Sequence, residues 1–416
     1  MCMKAIKKPE LLAPAGDLLR LRAALDYGAD AVYLGGTVFG MRSAPDNFDE
    51  QQLHSAVKAA HAKNVKVYLT VNVLPRSGEL DELPRFLSHA KDCGVDALII
   101  SDLGVLDYAK QYAPGVAIHI STQAGVVNYA AANAFYKLGA RRIVPARELS
   151  LEELRVMRRN IPDDLELECF IHGAMCVSFS GRCLLSNYLT GRDANHGDCA
   201  QPCRWKYALT EEKRPGQYFP IDDSDGGTFI LNSRDMCMID HLPALIDAGI
   251  DSFKIEGRAK SEYYVSVVTN AYRRAIDGYL RDPKPDYAPP QWVRDELEKV
   301  SYRPYCTGFF FGDPSDESNI SLQGGYTRQW DVMAVCDRWE AGVAFCTQRN
   351  RFFVGDTLEV LAPEIEPFSV TVTALQNADG EAIEATNHPM MAFSFPCERE
   401  IPQGAFLRKE READKT

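Results

Sequence analysis

The sequence has no apolar run near the roughly 20 residues that span a bilayer. Its opening, Met1-Cys2-Met3-Lys4-Ala5-Ile6-Lys7-Lys8, reaches a proline with no apolar stretch of the signal-peptide kind. A cytoplasmic protein with no membrane partner is therefore expected. Basic charge is also in deficit: 46 Lys plus Arg stand against 58 Asp plus Glu, a formal net charge of −12. Proteins that coat nucleic acid by charge alone are basic, so any phosphate-binding surface here must be local. No Cys-x2-Cys pair occurs, which removes the common zinc spacing. Neither His-Glu-x-x-His nor Gly-x-Ser-x-Gly is present, which argues against the usual zinc and serine hydrolase designs. The Gly-x-Gly-x-x-Gly turn of dinucleotide-binding sheets is missing too, since Gly35-Gly36 has no third glycine and no helix start behind it.

What is present is a repeat. The 416 residues suggest two or three domains, and 46% hydrophobic with 25% charged residues fits a globular chain rather than a disordered or coiled-coil one. Four times a helical stretch closes on glycine and an apolar run follows: Gly28 before AVYLGG, Gly94 before ALIISD, Gly139 before RIVPAR and Gly249 before SFKIEG. Glycine past a helix end takes the left-handed conformation that stops the helix, and an apolar run with few polar breaks reads as a strand covered on both faces. Further strand candidates are Glu10 to Ala13, Val65 to Val71, Val116 to Ser121 and Leu165 to Ile171. Eight strands alternating with helices predict an α/β fold, a (β/α)8 TIM-type barrel, with an open doubly wound sheet as the alternative. The barrel is assigned to residues 1–280, with a cysteine-rich insertion at 173–250 after strand seven. A Pro-rich connection follows at 281–328, then short alternating strands (WDVMAV, AGVAFC, DTLEVL, FSVTVTAL) that predict a small all-β barrel or sandwich over 329–410, and a charged tail at 411–416.

The insertion carries the chemistry. Cys176, Cys183, Cys199 and Cys203 have the spacing Cys-x6-Cys-x15-Cys-x3-Cys, with Cys169 upstream and Cys237 downstream as alternative ligands. Four thiolates from one loop suit a soft metal, and gaps of three and six wrap an iron–sulfur cubane more naturally than a single zinc ion, which is the alternative. Gly181, Gly191 and Gly197 let backbone approach such a cluster, and Arg182, Arg192 and Arg204 offset its charge. Cys93, Cys306, Cys336 and Cys346 lie in apolar runs and read as core.

The segment His172 to Trp205 (HGAMCVSFSGRCLLSNYLTGRDANHGDCAQPCRW), with KIEGR at Lys254 to Arg258 and ELLAPAG at Glu10 to Gly16, closely resembles the collagenase-like peptidase family U-32. The resemblance runs from about Glu10 to Tyr279, with a C-terminal β domain of the kind some members carry. It implies two readings. The family name implies a peptidase, yet the members most like this sequence imply oxygen-independent hydroxylation: of the wobble uridine of tRNA at position 5 with prephenate as oxygen source, of ribosomal RNA, or of a ubiquinone precursor. It also implies a 4Fe-4S cluster on cysteines matching Cys176, Cys183 and Cys199, with Cys203 the natural fourth ligand, and a possible paralogous U-32 partner protein. A cysteine bound to iron is unavailable to attack a peptide carbonyl, so cluster and cysteine protease compete for the same residues. A non-catalytic iron–sulfur scaffold or sensor is a third reading.

In a barrel of this kind the reactive groups sit on the loops leaving the strand C-termini. Those positions hold Arg42, Asn72, Gln123, Arg147, His172, Glu256 and Arg258. His172, Glu256 and Arg258 are the catalytic candidates, His172 as acid or base near neutral pH. Arg42, Asn72, Gln123 and Arg147 are the substrate-binding candidates. A dicarboxylate such as prephenate calls for guanidinium partners, here Arg42, Arg147 and Arg258. His119, inside strand five, reads as a satisfied core residue. For RNA, two basic clusters are candidates, one at Arg141, Arg142, Arg147, Arg155, Arg158 and Arg159, the other at Lys254, Arg258, Lys260, Arg273 and Arg274, with Tyr188, Trp205 and Tyr207 available for base stacking.

Overall fold

A computed structural model of the chain describes residues 7–41, 47–176, 178–205, 209–210, 218–219, 233–312 and 326–411. Eight strands form a closed parallel ring: β1 (Glu10–Pro14), β2 (Ala31–Gly35), β3 (Lys66–Val71), β4 (Ala97–Ile100), β5 (Ala117–Ile120), β6 (Arg142–Ile143), β7 (Glu166–Ala174) and β8 (Ser252–Ile255). Closure is made by β8, which pairs with β1 at Leu12↔Lys254 and with β7 at Ser252↔Glu168. Around the ring lie α1 (Leu18–Asp26), α2 (Glu50–His61), α3 (Leu83–Asp92), α4 (Leu103–Tyr112), α5 (Tyr129–Lys137), α6 (Leu151–Arg159), α7 (Leu242–Asp247) and α8 (Glu262–Arg281). The fold is the TIM-type barrel expected from the repeat.

Local chemistry sets the element limits. Asp17, Asp49, Asp102, Asn128, Ser150 and Ser261 each accept a backbone N–H two or three residues into the following helix, satisfying donors the helix cannot. At the αβ junctions Gly28, Gly94, Gly139 and Gly249 have φ of 97°, 83°, 106° and 77°, a backbone that a Cβ would strain. Strand alternation then divides the core. Leu11, Val32, Leu34, Val67, Leu69 and Leu98 point outward into the main helix-covered core, while Leu12, Tyr33, Tyr68 and Ile99 pack inside the ring.

The deeper barrel interior is charged, which nothing in the apolar strand pattern announced. Glu168 is wholly buried, with Lys254 Nζ at 2.8 Å and Arg142 Nη1 at 2.9 Å. Arg142 also reaches Glu10 and Glu166, each at 2.6 Å. Burial alone would raise the Glu168 carboxyl, but Lys254 and Arg142 hold it down to about 2.

β7 runs on to Ala174, and a short strand, Asp235–Cys237, pairs antiparallel with its end (Cys237↔His172). The helix ring resumes at α7, so the loop proper is shorter than the 173–250 assigned from sequence. The Pro-rich connection carries a helix, α9 (Gln291–Glu298), which buries Val293 and Leu297 against the barrel core.

Beyond it, β9 (Trp330–Glu340), β10 (Val343–Gln348), β11 (Thr357–Leu361), β12 (Phe368–Thr371), β13 (Leu375–Asn377), β14 (Ala382–Ile383), β15 (Ala392–Pro396) and β16 (Phe406–Glu410) make a separate antiparallel sheet, ordered β12-β11-β16-β9-β10-β15-β13-β14. This sheet is pinned to the barrel by a buried cation. Arg408 is fully buried, bonded to Glu296 of α9 at 2.5 Å, to Glu359 of β11 at 2.5 Å and to the Tyr263 hydroxyl of α8 at 3.1 Å. Removing one partner of a buried pair strands the others without compensation. Arg408→Ala is therefore expected to cost about 3 kcal/mol or more in urea unfolding, whereas exposed Arg411→Ala, which loses a surface pair to Asp331, should cost under about 1 kcal/mol. Equal effects would contradict this assignment.

Candidate active site

The strand C-termini open on a pocket lined by Tyr33, Thr70, Asn72, Gln123, Arg147, Phe170, Lys254, Glu256 and Arg258 among others, with an empty volume of about 680 Å³ that includes its open mouth. Five residues singled out in the sequence, Asn72, Gln123, Arg147, Glu256 and Arg258, meet here. Arg42 lies outside the described residues.

Arg258 is 3% exposed and donates from Nη1 to the Thr70 hydroxyl at 2.9 Å. Two glycines make room for it. A Cβ on Gly35 would lie 2.5 Å from its Nη1, and one on Gly16 would lie 2.2 Å from its backbone carbonyl oxygen. The ELLAPAG, YLGG and KIEGR segments thus converge on one residue. Arg147 lies over the Phe170 ring at 5.0 Å and donates to the Ala174 carbonyl at 3.1 Å. Among the described residues it makes no ion pair, so its charge faces the pocket uncompensated. Asn72 accepts the Met41 N–H at 3.1 Å through Oδ1.

Lys254 was not singled out as a pocket residue, although a strand places residues two apart on one face and Glu256 and Arg258 follow it at that period. Its ammonium lies 4.6 Å from the Tyr33 ring centre and 5.3 Å from that of Phe170, with Glu168 below. With Lys254 paired to Glu168 below, Arg147 and Arg258 against Glu256, the one carboxylate among the lining residues, leave the lining net cationic, suited to a small anion.

The cysteine loop is clasped over this mouth. Glu148, at the end of the sixth barrel unit, accepts from Ser180 N at 2.5 Å and from Ser180 Oγ at 2.7 Å. Arg182 donates from Nε to the Gln123 carbonyl at 2.9 Å. From the loop after β3, Arg76 pairs with Asp193 at 3.2 Å and Glu79 with His196 at 3.3 Å. The four cysteines are half-buried. Backbone N–H groups point at two sulfurs, Leu185 at Cys183 (3.3 Å) and Gln201 at Cys199 (3.4 Å). Burial pushes the Cys203 thiol up, Arg204 opposes this, and the charges of Cys176, Cys199 and Cys183 reach it. Among the described residues no three His, Cys, Asp or Glu side chains close on a point that would hold one metal ion. Cys176, Cys183 and Cys199 thus share one neighbourhood with Cys203, and a donor set made of thiols suits a soft metal or an iron–sulfur cluster.

Several expectations are corrected. His172 is 1% exposed and enclosed by Tyr264, Tyr272 and Tyr305, not open to the mouth. The pairing of β7 with β8 shifts between Lys254 and Ile255, skipping one residue, so the His172 ring turns out toward α8. Burial lowers it to about 3, with Lys260 adding to the effect, so it is neutral and cannot serve as acid or base near pH 7. Cys169 faces the helix layer and Cys237 packs beside Tyr272, with burial pushing its thiol up to about 12; neither belongs with the four.

His119 is buried in the core as expected, but among the described residues its Nδ1 has no hydrogen-bond partner. The two basic clusters are largely spent on carboxylates: Arg141 on Asp164, Arg155 on Asp247, Arg158 on Asp251, Arg159 on Glu152, Arg273 on Asp30, with Arg142, Lys254 and Arg258 inside the barrel. Likewise Arg192 is neutralised by Asp198 at 2.7 Å. Tyr207 lies outside the described residues.

Comparison with known proteins gives consistent matches. Residues 16–320 match the model described as Peptidase family U32, and residues 328–408 that of the Peptidase family U32 C-terminal domain. The tRNA hydroxylation protein P1 of Bacillus subtilis is 37% identical over 405 residues, covering 97% of this chain and 95% of its own. The tRNA hydroxylation protein P of Escherichia coli is 35% identical over 418 residues, 90% and 91% of the two chains. A collagenase of Porphyromonas gingivalis is 31% identical over 367 residues, 85% and 86%.

The glycine cradle yields a paired test. Gly35→Ala meets side chains alone, the far end of Arg258 and the Asn47 amide oxygen, so urea unfolding should stay within about 1 kcal/mol of wild type while calorimetric binding of small dicarboxylates weakens. Gly16→Ala meets backbone and should cost about 2 to 3 kcal/mol. The reverse ranking would refute the cradle.

Proposed function

Since the chain belongs to peptidase family U32, we propose that it is a cytoplasmic iron–sulfur enzyme of RNA modification, hydroxylating the wobble uridine of tRNA at position 5 without molecular oxygen. What supports this reading is a cationic pocket whose lining residue Gln123 is bonded by Arg182 of the cysteine loop, in a chain whose near full-length relatives are named tRNA hydroxylation proteins. Cys176, Cys183, Cys199 and Cys203 would hold a 4Fe-4S cluster, which supplies one-electron chemistry when bound. Arg147, Arg258 and Lys254 bind the carboxylates of a small metabolite such as prephenate, the proposed oxygen donor. Asn72 and Gln123 orient it. Glu256, the one carboxylate among the lining residues, accepts or returns a proton beside it. A paralogous family member is a possible working partner.

Peptidase action is the second reading, supported by the collagenase relative. Against it, neither histidine of the region is poised beside a nucleophile: His172 is sealed among tyrosines, and His196 is held between Asp193 and Glu79. A non-catalytic cluster scaffold or sensor is the third.

Nucleoside analysis of tRNA from a strain lacking this protein and any paralogue decides among them. Loss of 5-hydroxyuridine is expected, restored by wild type and by neither Cys176→Ala nor Arg147→Ala. Unchanged 5-hydroxyuridine contradicts the proposal, peptide cleavage by metal-free protein favours the peptidase, and full rescue by Arg147→Ala favours the scaffold.

A further inference from the structure

The same loop presents a second chemistry on its outer surface. Tyr188, on the short helix Leu185–Thr190, is 80% exposed, and Trp205 is 43% exposed two residues beyond Cys203. Large rings left in water within one short loop call for a partner. The arginines beside them differ from those of the two basic clusters. Among the described residues Arg182 bonds the Gln123 carbonyl, and Arg204 bonds the Gln201 side-chain oxygen at 2.7 Å and the Tyr326 hydroxyl at 3.1 Å. Neither forms an ion pair among the described residues, and neutral acceptors leave each with its full charge. Lys260, whose ammonium donates to the Ser301 carbonyl at 3.1 Å, packs 4.1 Å from the Tyr326 ring centre and holds that ring in place. In a chain of net charge −12, arginines without a carboxylate partner among the described residues, set beside exposed rings, are a local departure from the rest of the molecule.

Arginines that fix backbone phosphates, alternating with rings on which bases stack, are the means by which proteins grip unpaired nucleic acid. A paired helix offers no free base faces. We infer that this rim, Arg182, Tyr188, Arg204, Trp205 and Tyr326, docks a single-stranded segment of RNA, with one base stacked on Tyr188 or Trp205 above the pocket mouth. The inference rests on the proposed function and specifies its substrate as an unpaired loop. The rim meets the pocket through Gln123, which both bonds Arg182 and lines the cavity.

The test is fluorescence anisotropy on anaerobically prepared full-length protein, using a labelled anticodon stem-loop and a fully paired duplex of equal length. Iron content and visible absorption are matched between variants. The stem-loop should bind more tightly than the duplex. Tyr188→Ala should weaken it about five- to a hundredfold, while Tyr188→Phe, which keeps the ring, should not. Arg204→Gln should reduce the slope of log affinity against log salt by about one. Wild-type binding with all three variants unchanged overturns the rim but leaves the proposed function standing. Failure of wild type to bind either RNA overturns both. Unchanged RNA binding in Tyr188→Ala, with slowed reduction of the protein by an acidic electron carrier, overturns the inference and gives the rim to that partner.

Discussion

A guanidinium buried among glycines governs the mouth of this barrel. Taking Arg258 out of water is costly unless its donors are met and its surroundings fit, and the fit comes from far apart in the chain: Gly16 after β1, Gly35 at the end of β2 and Thr70 of β3. Each could be replaced in an ordinary strand–helix unit without loss. Here each is bound to the position of one side chain on the turn after β8, the strand that closes the ring. One layer deeper, Glu168 does the same for Lys254 and Arg142, so the floor of the pocket is held by charge rather than by layers of aliphatic packing.

This arrangement explains how a chain of strongly acidic composition offers an anion a place to bind. The cations of the pocket are fixed before any ligand arrives, and Arg147 keeps an uncompensated charge because its bond goes to a carbonyl. The cysteine loop is then fastened to the loops after β3, β5 and β6 by polar contacts, Glu79 and Arg76, Gln123, and Glu148, rather than by apolar packing. A loop so placed brings four thiols to the rim of a cationic pocket. The proposed redox modification with a carboxylated metabolite would use both features.

Much of the fold was legible because its signals are local. Glycine at αβ junctions, helix caps and runs buried on both faces all lie within a few residues of the element they specify. Asn72, Gln123, Arg147, Glu256 and Arg258 were legible for a topological reason: in a barrel the residue after each strand faces the mouth. What failed was tertiary. Whether an arginine is free depends on carboxylates remote in sequence, as Arg155 depends on Asp247, and the basic clusters dissolved for that reason. His172 failed on a register shift of one residue, which turned its ring outward. The interior charges were hidden because Glu168, which shares its strand with Glu166, and Lys254 lie in different strands and acquire meaning only across the ring.

The central claim is that the four thiols beside the pocket hold an iron–sulfur cluster. Iron and acid-labile sulfide assayed per chain on anaerobically purified protein test it most directly. About four of each is predicted for the wild type, with loss of both in Cys176→Ala while Cys169→Ala keeps them. Protein that carries zinc instead, or that takes up no iron and sulfide even after reconstitution, would contradict the account.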